Sequence, residues 1–489
     1  MLRAKTAGPV ALLLILSGAA VVRLVFFTGY HGYDDVYYIR RAFELSNGHL
    51  TPPTSHWAAR IGLVGPTALF YRTLGVTPFS TIAFPFLCSL LAVGVAFALG
   101  RRLYDQRTGL IAALLLAFLP MDVIFASLLF PTEPAMLFSG VGLGCFILAE
   151  RERRPALYLA SGVSLGLAAL AHEAALMILV IYPAYVLVIS RPTRVHLVAA
   201  VGLGLTLGLD PLSHALIGDP WARLTVLTHT ATVTGTAADV AYRGANLSWV
   251  MEPLVRPFAE RTFGLFAWLL VPVVVWRLWK PREWSERVLA LMITTGFLWL
   301  EYGSFSATSY VPLARLPRYL APLELPAVWL LGHELAERSP STRVITLAAF
   351  VGTSLVCLMC DSGSALAPYQ ELRAVLARTR PAQVIIEPRH HFPLLFAESF
   401  HPAYVLSDLD DAAPRAAVVV VSSEAARARV TSLPGIELVA RITPPNTLYL
   451  RLLRSSLVTT VLRSTRPGPR FQEYEKKIQP WALWVYRAQ

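Results

Sequence analysis

Several ionisable residues in this 489-residue chain stand next to long apolar blocks, where they could do chemistry at a membrane surface. Asp34 and Asp35 form an adjacent acidic pair a few residues after the first block, and Tyr37 follows them. A positioned carboxylate can accept a proton from an attacking hydroxyl or amine. Apolar residues at helical spacing over 35–46 also predict an amphipathic helix on the membrane. The acidic pair could therefore equally well cap that helix.

Two residues further along, still between the first and second apolar blocks, could hold an anion. His56 and Arg60 stand four positions apart, which is one turn if the segment is helical. A guanidinium group matches the oxygens of a phosphate with two hydrogen bonds. The two residues could instead only contact lipid head groups at the interface, and the sequence leaves both interpretations open.

A second basic pair stands at the start of a late apolar block. Arg315 and Arg318 belong to the run Arg-Leu-Pro-Arg-Tyr-Leu-Ala-Pro, which the charge pattern of the loops places on the outer side of the membrane. Basic residues are disfavoured on that side, so an anionic ligand would account for them. Pairing with Glu301 or Glu324 would account for them equally well.

Three more ionisable residues lie at the ends of apolar blocks. Glu133 lies between the third and fourth blocks, and His172 and Glu173 lie between the fifth and the sixth. Charged groups at this depth are costly unless they have a partner or a function. Each position also has a structural interpretation, because a carboxylate in the first turn of a helix complements the helix dipole.

The composition indicates the architecture that must hold these residues. The chain is 55% hydrophobic and 15% charged, with a mean hydropathy of +0.54, whereas soluble domains carry about 25% charged residues. The apolar blocks approach the ~20 residues that cross a bilayer, which excludes a soluble multidomain enzyme. We predict a polytopic α-helical membrane protein of about eleven transmembrane helices. The apolar blocks are 8–28, 79–100, 108–126, 132–149, 156–171, 173–190, 194–212, 262–279, 286–304, 318–335 and 342–360.

The charges of the loops predict the orientation. Short loops rich in Lys and Arg recur on one side, among them 101–107, 151–154 and 277–287, and the positive-inside rule places that side in the cytoplasm. The N-terminus is then cytoplasmic and the C-terminus extracytoplasmic, with long outer loops at 29–78 and 213–261. Topology thus explains the net charge of +12, and no nucleic-acid partner is predicted.

The chain changes character after the last apolar block. Its spacing predicts a small α/β domain. The predicted elements are a helix over 368–380 and strands over 382–386, 416–421 and 447–450. We therefore predict a transmembrane domain over 1–360 and an extracytoplasmic domain over 361–489.

Taken together, these motifs resemble those of polyprenyl-phosphate-sugar-dependent glycosyltransferases of the GT-C fold. The nearest pattern is that of the superfamily of protein O-mannosyltransferases and lipid A aminoarabinose transferases. The resemblance covers about residues 8–335 and rests on the order of several motifs. These are Asp34-Asp35-Val36-Tyr37-Tyr38, Arg101 to Leu110, Leu119-Pro120 followed by Glu133-Pro134, Gly218-Asp219-Pro220, and Arg318-Tyr319-Leu320-Ala321-Pro322.

The chain departs from the family pattern at two places. Many relatives carry Lys-Pro-Pro in the first outer loop, where this chain has the run from Ser55 to Arg60. Many also carry a Lys after the fifth helix, where His172 and Glu173 stand here.

The resemblance implies an inverting enzyme of the bacterial inner membrane. It would move a hexosyl or pentosyl group from a polyprenyl-phosphate donor to a lipid, glycan or protein acceptor at the outer face. No cofactor is implied, although grouped carboxylates and histidines are also compatible with a divalent metal ion. The alternative function is a transporter or flippase of a lipid-linked substrate, which would place charges within helices.

The roles implied by the resemblance can be assigned to residues. Asp34 is the first choice for the base and Asp35 the second, with Glu133 as a further catalytic carboxylate. Positive charge would stabilise the phosphate leaving group. The expected phosphate ligands are His56, Arg60, Arg315 and Arg318. Further site candidates are Tyr37, His172 and Glu173.

Overall fold

The computed structural model describes most of the chain and divides it into two compact units. These are residues 1–27 with 37–358, and residues 28–36 with 359–489. The predicted domain boundary at residue 360 stays a prediction. The described residues are 2–30, 34–49, 51–189, 193–216, 218–228, 247–303, 316–361, 367–387, 391–397, 400, 402, 405–408, 417–422, 424–432, 435–442 and 483–488.

The first unit is built from helices. They are α1 (Leu2–Val25), α2 (Asp34–Ser46, whose first residues belong to the second unit), α3 (Ile61–Leu74), α4 (Pro78–Leu103), α5 (Gln106–Phe118), α6 (Pro120–Ala126), α7 (Thr132–Glu152), α8 (Pro155–Ala171), α9 (Ile181–Val188), α10 (His196–Ala215), α11 (Leu247–Ala259), α12 (Phe266–Trp279), α13 (Trp284–Tyr302), α14 (Glu324–Ala336) and α15 (Pro340–Asp361). Two 3-10 helices, Glu173–Val180 and Pro317–Leu323, precede α9 and α14.

Each of the eleven predicted apolar blocks contains helix in the structure. Among the described residues, five helices are long and apolar enough to cross a membrane, and the bent pair of α5 and α6 would be a sixth. Those five are α1, α4, α7, α10 and α15. The helical membrane architecture is therefore confirmed, whereas the number eleven stays a prediction.

Local sequence explains where the helices begin and bend. Thr77 caps α4, because its side chain accepts a hydrogen bond from the backbone N–H of Ser80 at 3.0 Å. Asp105 caps α5 by accepting from the N–H of Thr108 at 2.7 Å. Helices α5 and α6 meet at an angle of 59° because Pro120 has no N–H with which to continue α5.

Glycines allow α8 and α10 to approach closely. A Cβ atom at Gly202 would lie 2.6 Å from the carbonyl oxygen of Leu159 and 3.0 Å from the amide nitrogen of Val163. Both contacts are with backbone, which cannot rotate aside. At Gly204, on the same helix, no atom lies within 4 Å of such a Cβ. This contact between helices therefore depends on Gly202 and not on Gly204.

We expect Gly202→Ala to lower the free energy of unfolding by about 1–3 kcal/mol, because the added methyl forces two backbones apart. Thermal unfolding of the purified protein in detergent measures the effect. Gly204→Ala is the matched control and should be neutral or slightly stabilising, since alanine is the better helix former. Equal melting temperatures for the two variants would contradict this account of the packing.

The second unit contains a five-stranded sheet. Its strands are β1 (Gln383–Ile386), β2 (Val405–Asp408), β3 (Ala417–Val421), β4 (Ile436–Ile442) and β5 (Leu483–Ala488), in the order β2-β1-β3-β5-β4. The first three strands are parallel, and β5 runs antiparallel to β3 and β4. Three helices accompany the sheet: α16 (Ala367–Thr379), α17 (His391–Ala397) and α18 (Glu424–Thr431).

Most predicted elements of this unit are present. Helix α16 and strands β1 and β3 coincide with the predicted helix and the first two predicted strands. Val418 to Val421 are buried, as expected for a central strand with side chains covered on both faces. The predicted strand over 447–450 lies outside the described residues. Strands β2, β4 and β5 were not predicted, although the alternating aromatic and aliphatic residues of β5 carry a strand signal.

Candidate active site

A buried ion pair joins the segment before α3 to the start of the 3-10 helix at Glu173–Val180. Arg60 is 3% exposed. Its Nε donates to Oε2 of Glu173 at 2.9 Å, and its Nη2 donates to the other carboxylate oxygen. The remaining Nη1 donates to the hydroxyl of Tyr38 on α2. The two-pronged geometry is the strongest form of such a pair and holds α2 against the helical core.

A second arginine extends this network. Nη1 of Arg223 donates to Oδ1 of Asp210 at 3.1 Å, and its Nη2 donates to the carbonyl oxygen of Ala169 at 2.6 Å. The same Nη2 lies 3.8 Å from Glu173. Glu173 therefore faces two guanidinium groups, which keeps it charged although it is mostly buried.

His172 lies beside this pair and is buried. Its Nδ1 accepts a hydrogen bond from the backbone N–H of Ala174 at 3.0 Å, and its ring meets the edge of Tyr319 with centroids 5.2 Å apart. Burial lowers the pKa of His172 to about 3, helped by the charges of Arg60, Arg318 and others nearby and opposed by Glu173. His172 is therefore a neutral imidazole at physiological pH.

Arg318 is held between aromatic rings. Its guanidinium carbon lies 5.0 Å from the centroid of the Phe130 ring and 5.7 Å from that of Tyr319. Phe130 in turn meets the ring of Tyr38 edge-on at 6.2 Å. Aromatic faces attract and orient a guanidinium group. Arg318 is half-buried, so it is oriented and still reachable.

A stack of three rings joins α2 to the segment before α3. The rings of Tyr37 and Trp57 are nearly parallel with centroids 4.5 Å apart, and His56 lies 3.9 Å from Trp57. Tyr37 is 48% exposed. A face of this kind suits the membrane interface or a sugar ring, since both present apolar surface beside polar groups.

Glu133 lies in a different buried cluster. It interacts electrostatically with Asp122, Glu324 and Arg23, and it is 1% exposed. Arg23 donates to Asp122 and, at 2.6 Å, to the hydroxyl of Ser89. Glu133 and Glu324 each stand in the first turn of a helix, where a carboxylate complements the dipole. This structural interpretation fits the observed position, while a catalytic role for Glu133 stays a prediction.

The acidic pair stands in the first turn of α2. Asp34 is half-buried and Asp35 is buried. Within the second unit, Asp35 interacts with Tyr30, and burial together with Asp35 raises the pKa of the Tyr30 phenol. Whether Asp34 or Asp35 faces Glu133 and Arg318, as the sequence suggests, stays a prediction.

The structure thus brings together four predicted site residues from three distant segments. Arg60, His172, Glu173 and Arg318 form one group, and His56 and Tyr37 share the neighbouring ring stack. Arg315 lies outside the described residues. Each nitrogen of Arg60 already donates to Glu173 or Tyr38, which gives Arg60 an orienting contact, while its role as a phosphate ligand stays a prediction.

Several members of these groups were not singled out from the sequence. They are Arg23, which lies within the first apolar block, and Tyr38, Phe130 and Arg223, which lie in segments between blocks. Arg23 carried a usable signal, because a lone arginine within an apolar block requires a partner. Its partner, Asp122, stands 99 positions away. Among the described residues, no group of three or more His, Cys, Asp or Glu side chains is arranged to hold a metal ion.

Residues 51–215 match a family model described as dolichyl-phosphate-mannose-protein mannosyltransferase. The match contains the segment around Arg60 and the run from His172 to Glu173, and it confirms the resemblance read from the motifs. No curated protein matches the sequence at a significant level.

Solved structures share the fold. The apo ArnT of Cupriavidus metallidurans superposes with a TM-score of 0.59 at 15% identity, over 89% of this chain and 97% of that one. The same protein bound to undecaprenyl phosphate gives 0.55, also at 15% identity, over 88% and 96%. The apo oligosaccharyltransferase of Archaeoglobus fulgidus gives 0.51 at 13% identity, over 81% of this chain and 64% of that one.

The chain is therefore an integral membrane protein with the GT-C fold of membrane glycosyltransferases. At these identities the superpositions establish the fold alone. The chemistry of the site has to be argued from the residues of this chain.

We expect Glu173→Gln to destabilise the protein by about 3–5 kcal/mol, because it leaves Arg60 buried without its counter-charge. Chemical denaturation of the purified protein in detergent provides the measurement. Glu152→Gln is the matched control, since Glu152 pairs with the exposed Arg102, and such surface pairs contribute about 0–1 kcal/mol. Similar losses of unfolding free energy in the two variants would show that the Arg60–Glu173 pair stabilises the protein no more than a surface pair does.

Proposed function

We propose that this protein is a glycosyltransferase that moves a sugar from a polyprenyl-phosphate donor to a lipid, glycan or protein acceptor. The reaction takes place at the outer face of a bacterial inner membrane, with the N-terminus in the cytoplasm and the C-terminus outside. The GT-C fold and the mannosyltransferase-family match over 51–215 support this proposal. The observation that carries it is the buried group of basic and aromatic residues around Arg318.

Arg318 is the residue best suited to the phosphate of the donor. The rings of Phe130 and Tyr319 orient its guanidinium plane, which then presents paired N–H groups to two phosphate oxygens. As the sugar leaves, negative charge grows on that phosphate, and a fixed cation in a dry site lowers the barrier. His172 is neutral beside it and does not add a competing charge.

The Arg60–Glu173 pair has a positioning role in this mechanism. Arg60 orients the hydroxyl of Tyr38, whose ring packs against Phe130 beneath Arg318. A shift of the ion pair would therefore displace the aromatic support of the phosphate ligand.

A carboxylate of α2 completes the mechanism as the general base. Asp34 is half-buried and Asp35 is buried, which supports Asp34 as the residue that an acceptor hydroxyl or amine can reach. Removal of that proton allows direct attack on the anomeric carbon opposite the phosphate. The configuration is then inverted, and no covalent enzyme intermediate forms.

We expect Arg318→Lys to reduce binding of undecaprenyl phosphate at least ~10-fold, because lysine keeps the charge but loses the two-pronged, ring-stacked geometry. Arg318→Ala should bind still more weakly. Titration of the purified protein with undecaprenyl phosphate measures the affinity. Arg72, an exposed arginine at the end of α3, supplies the control variants Arg72→Lys and Arg72→Ala. Wild-type affinity in both Arg318 variants would refute this role.

We expect Asp34→Asn to slow sugar transfer by at least ~10²-fold at unchanged stability, because asparagine cannot accept the proton. The assay compares the rate at which membranes from cells carrying each variant restore the envelope sugar lost on deletion of the gene. Asp105→Asn is the control for a capping role, since Asp105 is a cap in the structure and asparagine caps equally well. A full rate in Asp34→Asn, repeated with Asp35→Asn, would remove the acidic pair from the mechanism.

A further inference from the structure

A cavity of about 310 Å³ lies at the end of the first unit that the loop charges place in the cytoplasm. The cavity lies at the helix ends opposite to the predicted outer loops. The proposed sugar transfer therefore does not use it. Its walls come from the end of α7, the end of α9 and the start of α13. The residues that line it are Glu150, Arg151, Arg153, Tyr185, Ile189 and Trp284.

The carboxylate in this cavity is already satisfied. Glu150 accepts hydrogen bonds from the hydroxyls of Tyr158 at 2.6 Å and Tyr185 at 2.9 Å, and it contacts Nε2 of His196 at 2.7 Å. Arg153 lies 3.3 Å from it. Glu150 is therefore a fixed part of the wall that ties α7 to three other helices, α8, α9 and α10, and its charge is balanced from several directions.

The two arginines make the cavity basic. Both are exposed, and Arg151 is steadied by a hydrogen bond from its Nη1 to the carbonyl oxygen of Leu103 at 3.0 Å. Arg153 has a φ of 55°, a left-handed conformation that is costly for any residue with a Cβ. That conformation ends α7 and turns the chain sharply, so that Arg151 and Arg153 line the same cavity.

The other wall is apolar and aromatic. Tyr185 and Ile189 come from the end of α9. The ring of Trp284 lies edge-on to Tyr185 with centroids 6.3 Å apart. Trp284 is 39% exposed. Tryptophan concentrates at the level of lipid head groups, and arginine at a helix end reaches the same level. A ligand for this cavity therefore has an anionic head and an apolar body.

We propose that this cavity binds the phosphate head group of an anionic phospholipid from the leaflet on the basic side of the protein. Arg151 and Arg153 contact the phosphate, and the lipid chains leave along Ile189 and Trp284. The binding ties α7, α9 and α13 together at the end opposite to the active site. This proposal stands independently of the sugar-transfer reaction.

The test measures binding of phosphatidylglycerol to the delipidated full-length protein by native mass spectrometry, with phosphatidylcholine, which is zwitterionic and has no net charge, as the comparison. A basic residue near an anionic head group contributes about fivefold in affinity, so Arg151→Gln/Arg153→Gln should weaken phosphatidylglycerol binding about 25-fold. The matched control is Arg101→Gln/Arg154→Gln, which removes two exposed arginines of the same side that do not line the cavity. It should keep most of the affinity.

A second variant tests the cavity without changing its charge. Ile189→Trp fills the space and should also weaken phosphatidylglycerol binding, even if the arginine variant does not fold. Equal losses in the arginine variant and its control would overturn the proposal, because binding would then depend on general surface charge. Full binding in Ile189→Trp would overturn it too. Glycerol phosphate that displaces the lipid at equal concentration would instead assign the site to a soluble phosphate.

Discussion

Charged side chains that are buried away from water must meet an opposite charge, and this requirement organises the helical unit of the protein. Buried pairs connect segments that lie far apart in the chain. They are Arg23 with Asp122, Arg60 with Glu173, and Arg277 with Glu334. Each pair costs desolvation energy that only good geometry repays. The helices can therefore not slide or rotate past one another without exposing a charge to a medium of low dielectric constant.

One of these pairs, Arg60 with Glu173, positions the aromatic residues of the candidate active site. Arg60 and Glu173 hold Tyr38, Tyr38 packs on Phe130, and Phe130 supports Arg318. In the proposed mechanism the rings orient Arg318 as the phosphate ligand, and Arg60, which pairs with a carboxylate, has a positioning role. The same residue type serves two purposes, and the local partner decides which.

A similar combination recurs at the other end of the helices. Arg151 and Arg153 stand beside Trp284 and Tyr185, with Glu150 fixed by hydrogen bonds. Arginine beside an aromatic ring is well suited to both interfaces, since it offers phosphate geometry and tolerates partial desolvation. We propose a substrate for the group around Arg318 and a resident lipid for the cavity beside Arg151 and Arg153.

The sequence alone determined the membrane architecture, the helical blocks, the strands β1 and β3, and the residue types of the site. Those features follow from local hydrophobicity and from motifs within a few residues of one another, which can be read along the chain. The sequence could not show that Arg60 is already satisfied by Glu173, 113 positions away, nor that Arg318 rests on Phe130. Tyr38 and Phe130 are ordinary aromatic residues of the segments between apolar blocks, and nothing in their local sequence indicates that they meet. Only tertiary packing decides which side chains meet, because a contact between distant segments depends on the angles and register of every helix between them.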